Sequence, residues 1–368
     1  MKILHLAPLK SLCGIWTYAF NLHSACKSLH QSDIAHFPSK EKLQELNDYQ
    51  IKKELVKLCR LSANYDVVHV QCEWGLLSPG GVDKGVENYI FLVENILKFN
   101  QNTCITFHTE PTFILANGVL NHNDKLATKI WRKKALNIFN RCKCIVHSKE
   151  SRQAFIESGL KSDCLYTITH GVLETRDIKK INNDSRATIV SMFGHIAPYK
   201  GLDLILDVLQ LLPLHYKFCI IGGRHPHSRG NEIEDFLLKI KNYNLQDRVL
   251  ITGSVSMGEA DYYHSNSHVV VAPHQAERLS ASGAITWSLT SQRPVIGSNI
   301  NAFRNIVSQE PDALLLCNKT AIHEWAWAIQ RCATDELLKN KLIKGAQQYC
   351  SRFSWSNIAI EHVKLYTS

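Results

Sequence analysis

Short apolar runs recur along the whole chain, and most are followed by a segment with apolar positions three and four residues apart. The first is KILHLA at residues 2–7. Further runs lie at 66–70, 103–108, 144–147 and 166–169, and, after a polar stretch at 174–186, at 187–193, 217–221, 249–252, 268–272 and 294–296. Runs of this length without polar alternation predict strands buried on both faces. The segments 201–212, 232–243 and 322–332 carry helical periodicity, and the closing FSWSNIAIEHVKLY reads as a last amphipathic helix. Strand–helix alternation predicts parallel sheets with helices on both faces.

The set of strands occurs twice. The reading is therefore an α/β chain of two doubly wound Rossmann-like domains facing a central cleft. The expected boundaries are 1–172, a linker over 173–186, a second domain over 187–350, and a C-terminal helix over 351–368 that packs back on the first domain. The ligand cleft is expected between the carboxyl ends of both sheets.

A length of 368 residues agrees with two domains, and 45% hydrophobic with 20% charged residues is ordinary for a globular protein. The net charge of +9 is uneven, with 21 Lys and Arg against 15 Asp and Glu in residues 1–172. That excess suits anionic substrates or surfaces and is too small to imply nucleic acid. The twelve cysteines form no pattern of metal-ligand spacing and read as buried reduced thiols. MKILHLAP lacks the length of a signal segment, and no window approaches the roughly 18 apolar residues of a membrane span. The expectation is a cytoplasmic chain, in contact at most with the inner face of a membrane.

The most informative stretch is SMFGHIAPYKGLDLILD at 191–207: a strand ending at Gly194, a short loop with Lys200 and Gly201, and an immediate helix. Unpaired amides and the helix dipole favour anionic oxygens at such a corner, and Lys200 adds a cation. A second corner is expected where Ser282 and Gly283 open the helix before PVI, and two such corners suit a diphosphate. Between them, Gly222-Gly223 with Arg224, and the strand end at Gly253 to Val255, lie where backbone groups could hold a nucleobase. Glu277 stands in the loop after Pro273. In the first half, Gly14 precedes a helix after the first strand, and His108 closes a strand at its carboxyl end. Gln71, Glu73 and Trp74 follow another strand in a loop, where amide, carboxylate and ring would suit a sugar. No GxGxxG follows the first strand, which argues against a dinucleotide enzyme. The helix KLATKIWRKKALNIF carries Lys125, Lys129, Arg132, Lys133 and Lys134 beside Ile130, Trp131 and Leu136. It is either a solvated face or, over 125–136, a patch for anionic headgroups.

In this order, Gly14, the FHT strand end, IVHSKES, ITHGV, GHIAPYKGLDLIL, the SG-to-PVIGS segment and the FSW helix resemble the retaining glycosyltransferases of the GT-B fold, family 4. The resemblance covers nearly the whole chain. It implies a nucleotide-diphosphate sugar, UDP- or GDP-linked, held by the C-terminal domain, a glycan or lipid-linked acceptor on the N-terminal domain, and no cofactor or DxD metal site. Carried over, Lys200, Gly14, Ser282 and Gly283 would bind the diphosphate; the strand-end reading adds Gly223, Arg224 and Val255 at the nucleoside. His108 would sit near the transferred sugar, with Gln71, Glu73 and Trp74 on the acceptor side. Two departures stand out. His195 occupies the region where the family has Arg or Lys, and the Glu-x7-Glu pair is broken. Its second position falls on Trp287 and its first near Leu279 or Ser280, leaving Glu277 just upstream as the candidate carboxylate. An inactive nucleotide-sugar-binding partner subunit and a sugar-nucleotide epimerase or hydrolase remain as alternatives.

Overall fold

The computed structural model describes residues 1–9, 14–111, 122–174, 187–224, 230–277 and 281–368; Leu279, Ser280 and most of the expected linker lie outside these. The chain divides into two compact units, Met1–Gly171 with Trp355–Ser368, and Val172–Ser354. Each is built on a parallel sheet, six-stranded among the described residues.

The first unit orders its strands β2-β1-β3-β4-β5-β6. These are β1 (Lys2–Ala7), β2 (Gln31–His36), β3 (Val67–Cys72), β4 (Thr103–Phe107), β5 (Lys143–Val146) and β6 (Leu165–Thr167). β1 and β3 pair in parallel with His5 opposite His69. The central strands are buried almost throughout because helices cover both faces. The last helix of the chain, Trp355–Thr367, belongs to this unit and packs on Gly14–Lys27, labelled α1.

Two readings change here. β2 was not expected from the apolar pattern, because QSDIAH is a polar edge strand that only β1 pairs with. The basic segment is helical throughout but not uniform: His122–Ile130 passes through a wider π-turn at Trp131–Ala135 into Leu136–Phe139. Trp131 is fully buried, and Ile130 and Leu136 pack against the core. Lys125, Lys129, Arg132, Lys133 and Lys134 remain exposed, so the segment keeps a basic face while its apolar face is already occupied.

The second unit orders its strands β12-β11-β10-β7-β8-β9. They are β7 (Thr188–Phe193), β8 (Tyr216–Ile221), β9 (Val249–Ile251), β10 (Val269–Ala272), β11 (Val295–Ser298) and β12 (Leu315–Cys317). The chain runs outward from β7 through β8 to β9, then crosses to β10 on the other side of β7. The reversal opens a crevice beyond the carboxyl ends of β7 and β10, where open α/β sheets bind ligands. The eleven described cysteines of the molecule are free and buried. Among the described residues no helix is long and apolar enough to cross a membrane.

Candidate functional site

In the second unit, β7 ends at Phe193 and Gly194 follows it with φ +127°. One turn of 3-10 helix follows at Pro198–Lys200, then Gly201 at φ +68°, ψ +28° caps the helix Leu202–Leu211. The left-handed backbone at Gly201 suits glycine, and packing allows no larger residue. A Cβ there would come within 1.9 Å of the Pro273 carbonyl oxygen at the end of β10. Gln275 donates its backbone N–H to the Tyr199 carbonyl at 2.8 Å, and its side chain donates to the Lys319 carbonyl at 3.1 Å. The turn carrying Lys200 is thus tied to the far side of the switch point.

Lys200 is only 6% exposed. Its Nζ lies 3.3 Å from where a Cβ on Gly194 would stand, 2.9 Å from His274 Nε2 and 5.3 Å from the Tyr199 ring centroid. Burial pulls its pKa down to about 8. Among the described residues no carboxylate pairs with it. The nearby carboxylate candidate, Glu277, is taken by other cations: Arg304 Nη2 at 2.5 Å and Lys319 Nζ at 3.4 Å. Partial burial would raise the Glu277 pKa, but these two partners outweigh it and hold the carboxyl below its usual range.

The floor beside Lys200 is glycine. A Cβ on Gly222, at φ +149°, would strike the Gly194 carbonyl oxygen at 2.1 Å, and one on Gly223 would meet Gly253 Cα at 3.1 Å. The ends of three strands thus pack backbone against backbone, which residues with a side chain would not allow. Arg224 pairs with β7's extension through an Ile196–Arg224 bridge, and its guanidinium is held by Glu234 and the Gly230 carbonyl. Val255 is half-buried against the small apolar cluster of Cys219, Ile221 and Ala260. His195 is half-buried on the loop before the lysine turn. Ser282 sits at the start of Gly283–Leu289 without bonding its side chain to that helix's amides, and Gly283 is exposed with open space above its Cα.

In the first unit, Gly14 opens α1 and is exposed with room around it. His108 follows β4, and its Nε2 and Gln71 Oε1 lie 2.8 Å apart, so Nε2 carries the hydrogen. Tyr18 of α1 contacts the rings of His108, His147 and His170 at 4.9, 5.1 and 5.1 Å between centroids. Burial holds the His108 pKa well below 6.5, with the neighbouring His147 and His170 adding to the effect. It is therefore a neutral hydrogen-bonding group at pH 7. The fully buried Gln71 Nε2 has no hydrogen-bond partner among the described residues.

Two expectations for this region are corrected. Gln71 is not in a loop but in β3. Trp74 is 3% exposed and packs against Tyr89, Phe107 and Trp131, so its ring is part of the core and offers no face to a sugar. Glu73 starts the turn after β3, accepting the Gly75 N–H at 2.9 Å, and burial raises its pKa. The structure adds His274, Tyr18, His147 and His170; His147 and His170 lie in IVHSKES and ITHGV, but no side-chain role was read from either motif. A histidine directly after the proline that ends a strand was the one signal available for His274.

Among the described residues no three metal-type side chains come together. Residues 174–349 match the family model described as Glycosyl transferases group 1. D-inositol 3-phosphate glycosyltransferase from Xylanimonas cellulosilytica is 22% identical over 179 residues, 48% of this chain and 42% of that protein. The chain thus aligns with less than half of that relative's length. HepE of Anabaena, solved in complex with UDP-glucose, superposes over 100% of this chain and 99% of its own at a TM-score of 0.75 and 16% identity. Sucrose-phosphate synthase from Thermosynechococcus elongatus gives 0.77 at 18% identity, over 100% and 98%. The fold is that of these proteins: two parallel-sheet Rossmann-like domains of the GT-B class.

Proposed function

We propose that the chain is a glycosyltransferase that moves a sugar from a nucleoside-diphosphate sugar to a glycan or lipid-linked acceptor, with retention. The observation that carries this reading is the buried Lys200 ammonium, which meets no carboxylate among the described residues and lies beside glycines at the switch point of the unit resembling Glycosyl transferases group 1. An uncompensated buried cation is costly, and an anionic ligand removes that cost. As the sugar–oxygen bond breaks, negative charge grows on the leaving diphosphate. A fixed ammonium and main-chain amides stabilise it without reorganising. In this reading Lys200, His195, Ser282 and Gly283 hold the diphosphate. Gly223, Arg224 and Val255 border the nucleoside, and Gly14, His108, Gln71 and Glu73 serve the sugar and acceptor. HepE, crystallised with UDP-glucose, supports a UDP-linked donor. No cofactor is invoked.

Calorimetry with UDP-, GDP- and ADP-sugars, followed by acceptor-dependent release of nucleoside diphosphate, tests the proposal. Lys200→Ala should lower turnover at least ~100-fold, the usual effect of losing one preorganised charge stabiliser. Absence of heat with every donor overturns the reading. Binding without turnover would favour the inactive partner subunit, for which one observation speaks: Trp287, at the place of the family's second glutamate, donates to Asp261 at 2.9 Å. The exposed lysines of 125–134 are proposed to meet anionic headgroups at a cytoplasmic membrane face. Flotation with anionic liposomes should be lost in Lys133→Glu/Lys134→Glu; equal flotation of both proteins would remove the membrane role.

A further inference from the structure

Lys200 reaches its place from a single 3-10 turn, and an ammonium on four rotatable bonds needs something to hold it. The backbone clamp between Tyr199 and Gln275 fixes the turn but not the end of the side chain. That end meets His274, which directly follows Pro273 beyond β10 and is 1% exposed. The imidazole lies edge-on to Phe303, with ring centroids 5.2 Å apart, and its buried Nδ1 has no hydrogen-bond partner among the described residues. Its Nε2 is 2.9 Å from Nζ. An ammonium has hydrogens to donate and no lone pair, so Nε2 must be the acceptor and Nδ1 must carry the imidazole hydrogen.

Resting on the donor-diphosphate reading of Lys200, we infer that His274 is the positioning residue of this lysine: a neutral imidazole whose Nε2 accepts one ammonium hydrogen and holds Nζ over Gly194, leaving the other two for an anionic ligand. His274 touches no reacting atom in this scheme; it acts through Lys200. Among the described residues the groups facing the ammonium are His274 and the Tyr199 ring, while Glu277 is engaged by Arg304 and Lys319. Burial, followed by the positive charge of Lys200, keeps His274 well below the ordinary histidine range. The acceptor nitrogen therefore stays available at neutral pH.

The test pairs His274→Gln, whose amide oxygen can replace Nε2 as acceptor, with His274→Leu, which fills the volume and accepts nothing. Three readouts are taken: kcat and KM for the donor sugar, the alkaline limb of the kcat/KM pH profile, and the Nζ titration of Lys200 by NMR on lysine-labelled protein. His274→Gln should keep kcat within about fivefold, while His274→Leu should lose about 10- to 100-fold, the range for a hydrogen bond to a charged group. In the Leu variant the alkaline limb and the Nζ titration should both move down by about one pH unit. A merely packed histidine would move neither. Equal loss in both variants, or no shift in either titration, overturns the inference. Should His274→Leu fail to fold, the tautomer of wild-type His274 by long-range proton–nitrogen NMR decides: a hydrogen on Nδ1 supports the inference, and one on Nε2 ends it. If wild type binds no nucleotide sugar, the donor reading fails by itself, and the two NMR measurements still judge the lysine–histidine pair.

Discussion

Lowering the pH should unfold the first unit through its buried histidines. His5 in β1, His147 after β5 and His362 in the last helix are each at most 1% exposed. Burial lowers their pKa values from 6.5 to about 3, 4 and 4; the charges of His23 and His362 add to it at His5. His69, opposite His5, is shifted the same way by burial and by its histidine neighbours. In each case the unfolded chain binds a proton more readily than the folded one. Their contribution is therefore complete above pH 6.5 and is lost as pH falls from there toward 3–4. At pH 5, one and a half units below the unfolded value, each such group has given up about 2 kcal/mol, and the three together about 6 kcal/mol. That is comparable with the whole stability of a typical domain, about 5–15 kcal/mol.

The assay is urea unfolding at pH 7.5, 6.5, 5.5 and 5.0, with hydrogen exchange at β1 and β3 amides reporting on this unit alone. Neither ring nitrogen of His5 has a hydrogen-bond partner among the described residues, so His5→Leu breaks no bond there. That variant should match or exceed wild-type stability at pH 7.5 and take up about one proton fewer on acid unfolding. A first unit equally stable at pH 7.5 and 5.0 would refute the reasoning, as would an unchanged proton count in His5→Leu.

Three further outcomes are expected. Gly201→Ala should destabilise the second unit by at least ~1–3 kcal/mol, since it adds left-handed strain and a clash with the Pro273 carbonyl; chemical unfolding followed in that unit measures it. Trp74→Ala should cost about 3–5 kcal/mol and act on stability, because the ring is core; an unchanged melting temperature with a raised acceptor KM would restore the sugar-stacking role. Glu277→Gln should release Arg304 and Lys319 and tighten inorganic pyrophosphate binding by isothermal calorimetry, whereas weaker binding would show that the carboxylate itself organises the ligand.

Much of the architecture was legible because a strand buried on both faces must be continuously apolar. KILHLA is such a run, and the observed first strand has the predicted bounds. Gly194, Lys200 and Gly201 were equally readable, since a strand-to-helix turn with a cation leaves a local mark. The edge strand Gln31–His36 left none, because it is polar and pairs on one side only, and Leu315–Cys317, inside the apolar run ALLLC, went unread although its pattern was there. Side-chain fate was less legible still. Trp74 and the basic segment have compositions that fit solvent or core alike, and only the packing of Trp131, Phe107 and Tyr89 decides between them.

Local order along the chain was thus determined by apolar periodicity and by glycines in special backbone conformations, which short stretches of sequence encode by themselves. The meeting of Lys200 with His274, 74 residues further on, belongs to the tertiary structure alone. It arises because the strand order reverses at β7 and β10, and no local pattern records which strand ends a crossover will bring together.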